Sequence, residues 1–336
     1  MTAAKLAGSA VSKRTMSRLA PLLLAFASSG CALSTPGELG KLEFRIVVDD
    51  ASGGSSEIVP VAPNTEVVVR ITRPGGRPAL VTDFRVDEPW VASVTRDSHD
   101  ALRIKATAVG DTKLSVRAGG DDDRIMLSVL LPVAARVWGP VASNRWERPI
   151  AMRGGSARFP LTMTAAGGRP VLALGVPPPI RVVPEGAATI LPPKAREGTM
   201  VRVNFDQAGL VRLEGDLEEA LEIRVVSDDE LEKLELDLAK LETKGPPSML
   251  MIRLRGVAGG KPGDVVSTGA RVSIETPGTC SESTAEASMT GLFFGQGIVV
   301  IGALATGRCS GTITFAGKSA TFSEDVAPKP PASPQR

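Results

Sequence analysis

Apolar residues in this chain recur at every second position over short stretches. Leu42, Phe44, Ile46 and Val48 alternate with Glu43, Arg45 and Val47. Val67, Val69 and Ile71 alternate with Val68, Arg70 and Thr72, and Leu102, Ile104, Ala106 and Ala108 alternate with Arg103, Lys105 and Thr107. A period of two sends successive side chains to opposite faces of a strand, one toward a core and one toward water. Val81 to Val86, Trp90 to Val94, Leu114 with Val116, and Ile125, Leu127 and Val129 add further runs. Turn residues separate them, as at Ser52-Gly53-Gly54-Ser55. About seven short strands in about ninety residues predict an all-β fold, a two-sheet sandwich.

One tetrapeptide organises the rest. It reads Gly75-Gly76-Arg77-Pro78, Gly167-Gly168-Arg169-Pro170 and Gly259-Gly260-Lys261-Pro262, and both spacings are 92 residues (167 − 75 and 259 − 167). Glycine accepts positive φ without steric cost and proline withholds a ladder donor, so the tetrapeptide marks a turn rather than a reactive group. The repeat predicts three tandem sandwiches, 41–131, 132–226 and 227–326. Phe159, Leu161 and Met163 precede the second turn at the offset of Val67, Val69 and Ile71 from the first. Later in that unit, Val201, Val203 and Phe205 lead to Ala208-Gly209, and Leu213, Leu221, Ile223 and Val225 close it. The third unit continues through Val272, Ile274, Val299 and Ile301 to Gly307, then Ile313 and Phe315.

The span from the turn to the later glycine grows from 35 (110 − 75) to 42 (209 − 167) to 48 (307 − 259) residues. In the second unit the extra length is the proline-rich stretch Val176 to Lys194, which fits a sheet edge or a loop and, as a sharper alternative, a recognition segment. The start of the third unit has two readings. Leu234, Leu236 and Leu238 alternate as in a strand, which the analogy with Leu42 to Val48 favours. Leu231, Leu234, Leu238 and Leu241 share a helical face, and Ser227 with Glu230 has capping-box spacing.

Composition narrows the function. The 336 residues carry 39 Lys+Arg against 37 Asp+Glu with no strongly basic stretch, which argues against nucleic acid as a partner. Aromatic residues are 4% and tyrosine is absent, too few for an extended stacking surface. The single histidine, His99, lies in the polar loop Arg96-Asp97-Ser98-His99-Asp100 and reads as solvated; one imidazole rules out a two-histidine metal site. No cofactor or metal set is legible.

Near the N-terminus, Lys13, Arg14 and Arg18 precede the apolar run Leu19 to Ala27, then Ser28-Ser29-Gly30-Cys31. The run has signal-peptide length and is too short to span a bilayer. The sequence before Cys31 resembles a bacterial lipobox, with Ser28 departing from the usual leucine. The resemblance implies a signal peptide over 1–30, a lipid-modified Cys31 as membrane anchor, and, with Ala32 rather than Asp next, the outer membrane as destination. An ordinary signal-peptidase cut is the alternative, and Met16 is an alternative start to Met1. Residues 31–40 read as a short flexible linker and 327–336 as a disordered tail. With Cys31 acylated, Cys280 and Cys309 remain as a pair in an exported chain, and compartment and count predict a disulfide. Cys309 shares the inward parity of Ile313 and Phe315.

Trp90-Val91-Ala92-Ser93-Val94, followed by Leu102 to Gly110 and on to Val116, resembles the group 2 bacterial Ig-like domains. The likeness covers most of the first unit and is weaker in the other two. It implies stalks and spacers of surface and adhesion proteins, without catalytic residues to carry over.

Other clusters have plain readings. Asp121-Asp122-Asp123 and Asp228-Asp229-Glu230 could offer oxygens to calcium but lack calcium-loop spacing, and read as solvated charged hairpins. Gly295-x-Gly297 reads as a turn or bulge, because a phosphate loop needs a following helix. Trp138 and Trp146 flank the start of the second unit and read as packing between units in preference to a sugar platform. The expectation is a non-enzymatic, lipid-anchored envelope protein that binds a protein or cell-surface ligand, adheres or spaces. The alternatives are an accessory subunit of a secretion or polysaccharide machine, bound by strand addition, and an envelope hydrolase.

Overall fold

The computed structural model describes residues 34–49, 54–139, 148–194, 200–215, 220–241, 249–282 and 297–326. The first group of strands comprises β1 (Thr35–Pro36), β2 (Glu43–Asp49), β3 (Gly54–Ser56), β4 (Glu66–Arg73), β5 (Arg77–Pro78), β6 (Val81–Val86), β7 (Ala92–Arg96), β8 (Ala101–Ala106), β9 (Gly110–Ala118) and β10 (Asp121–Val129). The second comprises β11 (Ala134–Val137), β12 (Ile150–Met152), β13 (Ser156–Thr164), β14 (Ile180–Val183), β15 (Ala188–Leu191), β16 (Met200–Phe205), β17 (Gly209–Gly215) and β18 (Leu221–Val226). The third comprises β19 (Leu231–Leu241), β20 (Met249–Ala258), β21 (Lys261–Asp264), β22 (Arg271–Ile274), β23 (Cys280–Glu282), β24 (Ile298–Ala303), β25 (Gly307–Phe315) and β26 (Lys318–Val326).

Among the described residues the strands form six sheets in three pairs with one connectivity. One sheet of each pair runs β2-β4-β8-β7, β11-β13-β16-β15 or β19-β20-β24-β23. Its partner contains β6-β9-β10, β14-β17-β18 or β22-β25-β26. In immunoglobulin lettering this is A-B-E-D against C-F-G, the constant-type order. The fold is therefore all-β and immunoglobulin-like, argued from strand order alone.

Alternation in the sequence becomes alternation in burial. Leu42, Phe44, Ile46, Val67, Val69, Ile71, Leu102 and Ile104 are buried in one cluster with Leu114, Val116, Ile125 and Val129 from the facing sheet. Phe159, Val201, Val203, Phe205, Leu213 and Ile223 form the second core, and Ile252, Leu254, Ile301, Ile313, Phe315 and Phe322 belong to the third.

The contested start of the third group is a strand, the reading that the analogy with Leu42 to Val48 favours. A bulge between Leu231 and Lys233 adds one residue, so Leu231 and Leu234 both point inward. That insertion turns a strand's even spacing into the three-residue spacing that resembles a helix. Ser227 and Glu230 do make the capping-type contact, with the Ser227 N–H and hydroxyl donating to Glu230 Oε2 at 2.7 and 2.8 Å, but they close a turn that feeds a strand. The proline-rich stretch supplies two edge strands, β14 and β15. Of the expected Ser52 to Ser55 turn, Gly54 and Ser55 belong to β3, and residues 50–53 lie outside the described residues.

Residues 34–40, expected as flexible linker, are bonded to the first sandwich. Thr35 and Pro36 pair with Phe44 and Glu43, and Glu38 N–H donates to the Arg124 carbonyl at 2.8 Å. The physical reason is Asp123, which is 3% exposed. Its Oδ1 accepts from the N–H groups of Leu39 and Arg124, both at 2.8 Å, and its Oδ2 from those of Lys41 (2.8 Å) and Leu42 (2.9 Å). Burial pushes this carboxyl up, but the N–H groups of Leu39, Leu42, Arg124 and Lys41 outweigh it and hold the group below its ordinary range. The solvated-hairpin reading fails for Asp123, which is an internal anchor; Asp122 keeps that character, paired with Arg117 at the surface.

Candidate functional site at the unit junctions

The three turns occupy the same topological place, directly after β4, β13 and β20, the B strand of each pair. Both glycines of every copy are left-handed: Gly75 and Gly76 at φ 89° and 81°, Gly167 and Gly168 at 80° and 76°, Gly259 and Gly260 at 56° and 67°. In the third copy they are the whole loop, since Ala258 pairs with Lys261, and two positive-φ residues match the twist of a tight hairpin. In the other copies Arg73 pairs with Arg77, and Thr164 bridges Pro170. Pro78 and Pro262 fall on two short edge strands, where a missing donor is tolerated. The later glycines, Gly110, Gly209 and Gly307, each open the F strand at φ between 129° and 152°.

The segments following the second and third turns are what join neighbours. Leu172, two residues past Pro170, lies beside Val61 in a parallel bridge: Leu172 N–H donates to the Pro60 carbonyl at 2.9 Å, and Ala62 N–H donates to the Leu172 carbonyl at 2.8 Å. On its other side Val61 bridges Val129 of β10, again in parallel, with Val61 N–H to Ser128 and Leu130 N–H to Val61. The second junction repeats the plan. Ile150 of β12 pairs in parallel with Arg224 of β18 on one side and bridges Val265 on the other, and Val266 N–H donates to the Ile150 carbonyl at 2.9 Å. Ser267 Oγ accepts the buried Met152 N–H at 2.6 Å.

Side chains cross with the backbone. Leu172 and Leu174 join the first core, Ala62 and Val266 join the second, and Ile150 and Val265 join the third. Burying one leucine removes enough apolar surface to contribute about 2 kcal/mol. In the first unit the position 92 residues before Leu172 is Leu80, which is 56% exposed and whose carbonyl accepts from its own Gly119. A short strand held on both edges, with its apolar neighbours seated in two cores, resists bending. Two inserted segments, Pro60-Val61-Ala62 and Pro149-Ile150-Ala151, share a proline, β-branched residue, alanine pattern. That pattern was the available signal for the junctions, too short to register as periodicity.

Cys280 on β23 and Cys309 on β25 are joined, both fully buried, with Cα atoms 5.6 Å apart. The bond ties a D strand to an F strand across the two sheets. His99 is exposed, its Nε2 3.8 Å from Asp100. Gly297 is a turn residue at φ 74°, and Gly295 lies outside the described residues, as do Cys31 and Trp146. The Trp138 indole engages its own sheet rather than a junction: Nε1 donates to Thr162 Oγ1 at 3.0 Å and the Arg136 guanidinium stacks 3.7 Å from the ring centre. Asp229 and Glu230 are held below the ordinary carboxylate range chiefly by hydrogen bonds from Ser227. Among the described residues no three His, Cys, Asp or Glu side chains converge as a metal site.

No protein-family model and no curated protein matches the chain. Among solved structures, domains 4–9 of the surface layer protein SbsC align over 85% of this chain at 16% identity and a TM-score of 0.26. The chain spans 47% of that structure's length. Invasin, a bacterial integrin-binding protein, aligns over 86% of this chain and 60% of its own, at 14% identity and a TM-score of 0.23. The D00-D0 domain of intimin aligns over 55% of this chain and 99% of its own, at 13% identity and a TM-score of 0.21. The strand order, not these superpositions, assigns the fold.

Proposed function

We propose that the chain is a stiff, exported spacer of the cell envelope, built from three Ig-like sandwiches of the group 2 bacterial type over 41–131, 132–226 and 227–326. In this reading residues 1–30 are a signal peptide, Cys31 carries the lipid anchor in the outer membrane, and the rod holds a binding or adhesive surface away from the bilayer. The observation that carries it is the repeated junction, in which Pro60 to Ala62 and Ile150 to Met152 are each held between their own G strand and the next unit. A flexible string of modules needs no such insertion; a projecting rod does.

The anchored N-terminal segment supports the same reading, because Asp123 fixes Leu39, Lys41 and Leu42, a short way after the proposed anchor, to the first sandwich. The test is palmitate labelling with membrane fractionation of the wild type and Cys31→Ser, beside small-angle scattering of the soluble three-unit portion. Label lost in the variant and one extended particle dimension are expected. Unlabelled wild type would remove the anchor, and a broad distribution of particle dimensions would remove the spacer.

A further inference from the structure

The end of a sandwich that carries its paired-glycine turn is covered in two units and bare in the first. Leu172 and Val265 follow the second and third turns and are buried against the preceding unit. Leu80, the counterpart of Leu172, is 56% exposed, and Leu39 at the same end is 55% exposed. Arg73 ties this base together: it pairs with Arg77, lies 3.4 Å from Asp121 and donates to the Gly119 carbonyl. Gly119 N–H in turn donates to the Leu80 carbonyl at 2.8 Å, and Asp123, two residues past Asp121, holds the N–H groups of Leu39 and Lys41. The seat that Leu172 offers an inserted strand is thus filled here by the unit's own turn, while the Leu80 side chain still faces water.

The charges around these leucines are unbalanced. Asp121 is answered by Arg73, Asp122 by Arg117, and Glu38 by Lys113 and Arg124. Lys41 and Arg77 are exposed and meet no carboxylate among the described residues. Exposed apolar side chains ringed by unpaired cations suit the boundary between lipid headgroups and acyl chains. Chain length brings that boundary close. Three residues (34 − 31) separate Cys31 from Ser34, whose hydroxyl donates to Glu43 at 3.1 Å where β2 begins. An extended chain covers at most about 3.6 Å per residue, so Ser34 stands within about 11 Å of Cys31. On the reading of Cys31 as the acylated anchor, on which this inference rests, the base is the part of the rod nearest the bilayer.

We propose that the base of the first sandwich seats on an anionic phospholipid surface, with Leu39 and Leu80 entering the headgroup region and Lys41 and Arg77 engaging lipid phosphates. A seated base fixes the direction of the rod, which one acylated residue alone does not. The test is co-sedimentation of residues 31–336 carrying Cys31→Ser, so that no acyl chain contributes, with vesicles of phosphatidylcholine alone or mixed with phosphatidylglycerol. This portion holds all three cores. It should partition onto the mixed vesicles about tenfold better than onto phosphatidylcholine, and less well as salt rises. Adding Leu39→Ser with Leu80→Ser should lower partitioning onto mixed vesicles about tenfold. Adding Lys41→Ala with Arg77→Ala should bring it down to the phosphatidylcholine level.

Trp90→Ala is the control. Trp90 is 65% exposed at the other end of the same sandwich, where the Val91 carbonyl accepts from Thr107 just before β9 begins. Its loss should leave partitioning within about twofold, although it is the larger exposed apolar group. Thermal melts establish that each variant is folded. The proposal is overturned if mixed vesicles bind the protein no better than phosphatidylcholine does, if either base variant partitions like its parent, or if Trp90→Ala costs as much as the leucine pair. Palmitate labelling judges the anchor separately. Vesicle binding without label would keep the lipid-seated base and remove the acyl anchor; label without vesicle binding would do the reverse.

Discussion

Asp123→Asn isolates the anchor at the base of the first sandwich. The side chain keeps its shape, but a carboxamide has one accepting oxygen where the carboxylate has two. Whichever way it is turned, two of the four N–H donors at Leu39, Lys41, Leu42 and Arg124 face an NH₂ group. Each lost bond to the charged group is worth about 1.5 kcal/mol or more, so the variant should lose about 3 kcal/mol locally. Gly37 sharpens the constraint, since a Cβ there would sit 2.2 Å from the Asp123 carboxylate.

Units of a tandem protein open separately, so the assay is local hydrogen exchange at Leu39, Lys41 and Leu42 beside tryptic cleavage after Lys41. A loss of about 3 kcal/mol corresponds to roughly a hundredfold faster exchange. The wild-type carboxyl is held below the unfolded value of about 3.9. Its contribution is therefore full above that value and is lost as pH falls through the lowered folded value, where wild type and variant should converge. Equal protection of the three amides at neutral pH, or cleavage after Lys41 at the wild-type rate, would refute the reasoning.

Other outcomes follow from the same structure. Reduction of the Cys280–Cys309 bond, or its replacement by alanines, opens a loop with a separation of 29 residues and should cost about 3–4 kcal/mol in urea titrations of the third unit. Gly209→Ala meets no atom within 4 Å but must hold φ near 129°, so it should cost about 1–3 kcal/mol by thermal melt, while Gly278→Ala, with no such backbone demand, should be near neutral. Leu172→Ala should destabilise the first junction by about 2–5 kcal/mol and broaden the distribution of intraparticle distances in scattering. Ser267→Ala leaves the buried Met152 N–H without its acceptor and should cost about 1–3 kcal/mol, read as faster exchange of that amide.

The alternating runs were enough to place most strands, because a sheet with one wet face writes its period directly into the sequence. The paired glycines marked their turns for an equally local reason: few other residues hold two successive positive φ values. What stayed hidden depends on distant partners. Asp123 reads as one of three surface aspartates until Leu39 and Leu42, more than eighty residues earlier, arrive with their N–H groups. Leu231 and Leu234 imitate a helix because one bulged residue breaks the period. Val61 and Ile150 sit in short stretches whose meaning lies in the neighbouring unit, and Trp138 could be assigned to the outer face only once β13 set its register.

The inserted segments at the two junctions run parallel to the strands on either side of them. Tension drawn along the chain would therefore slide these strands past one another, and the hydrogen bonds flanking Val61 or Ile150 would have to fail together instead of peeling one at a time. Such a joint is strongest along the line of the strands it joins.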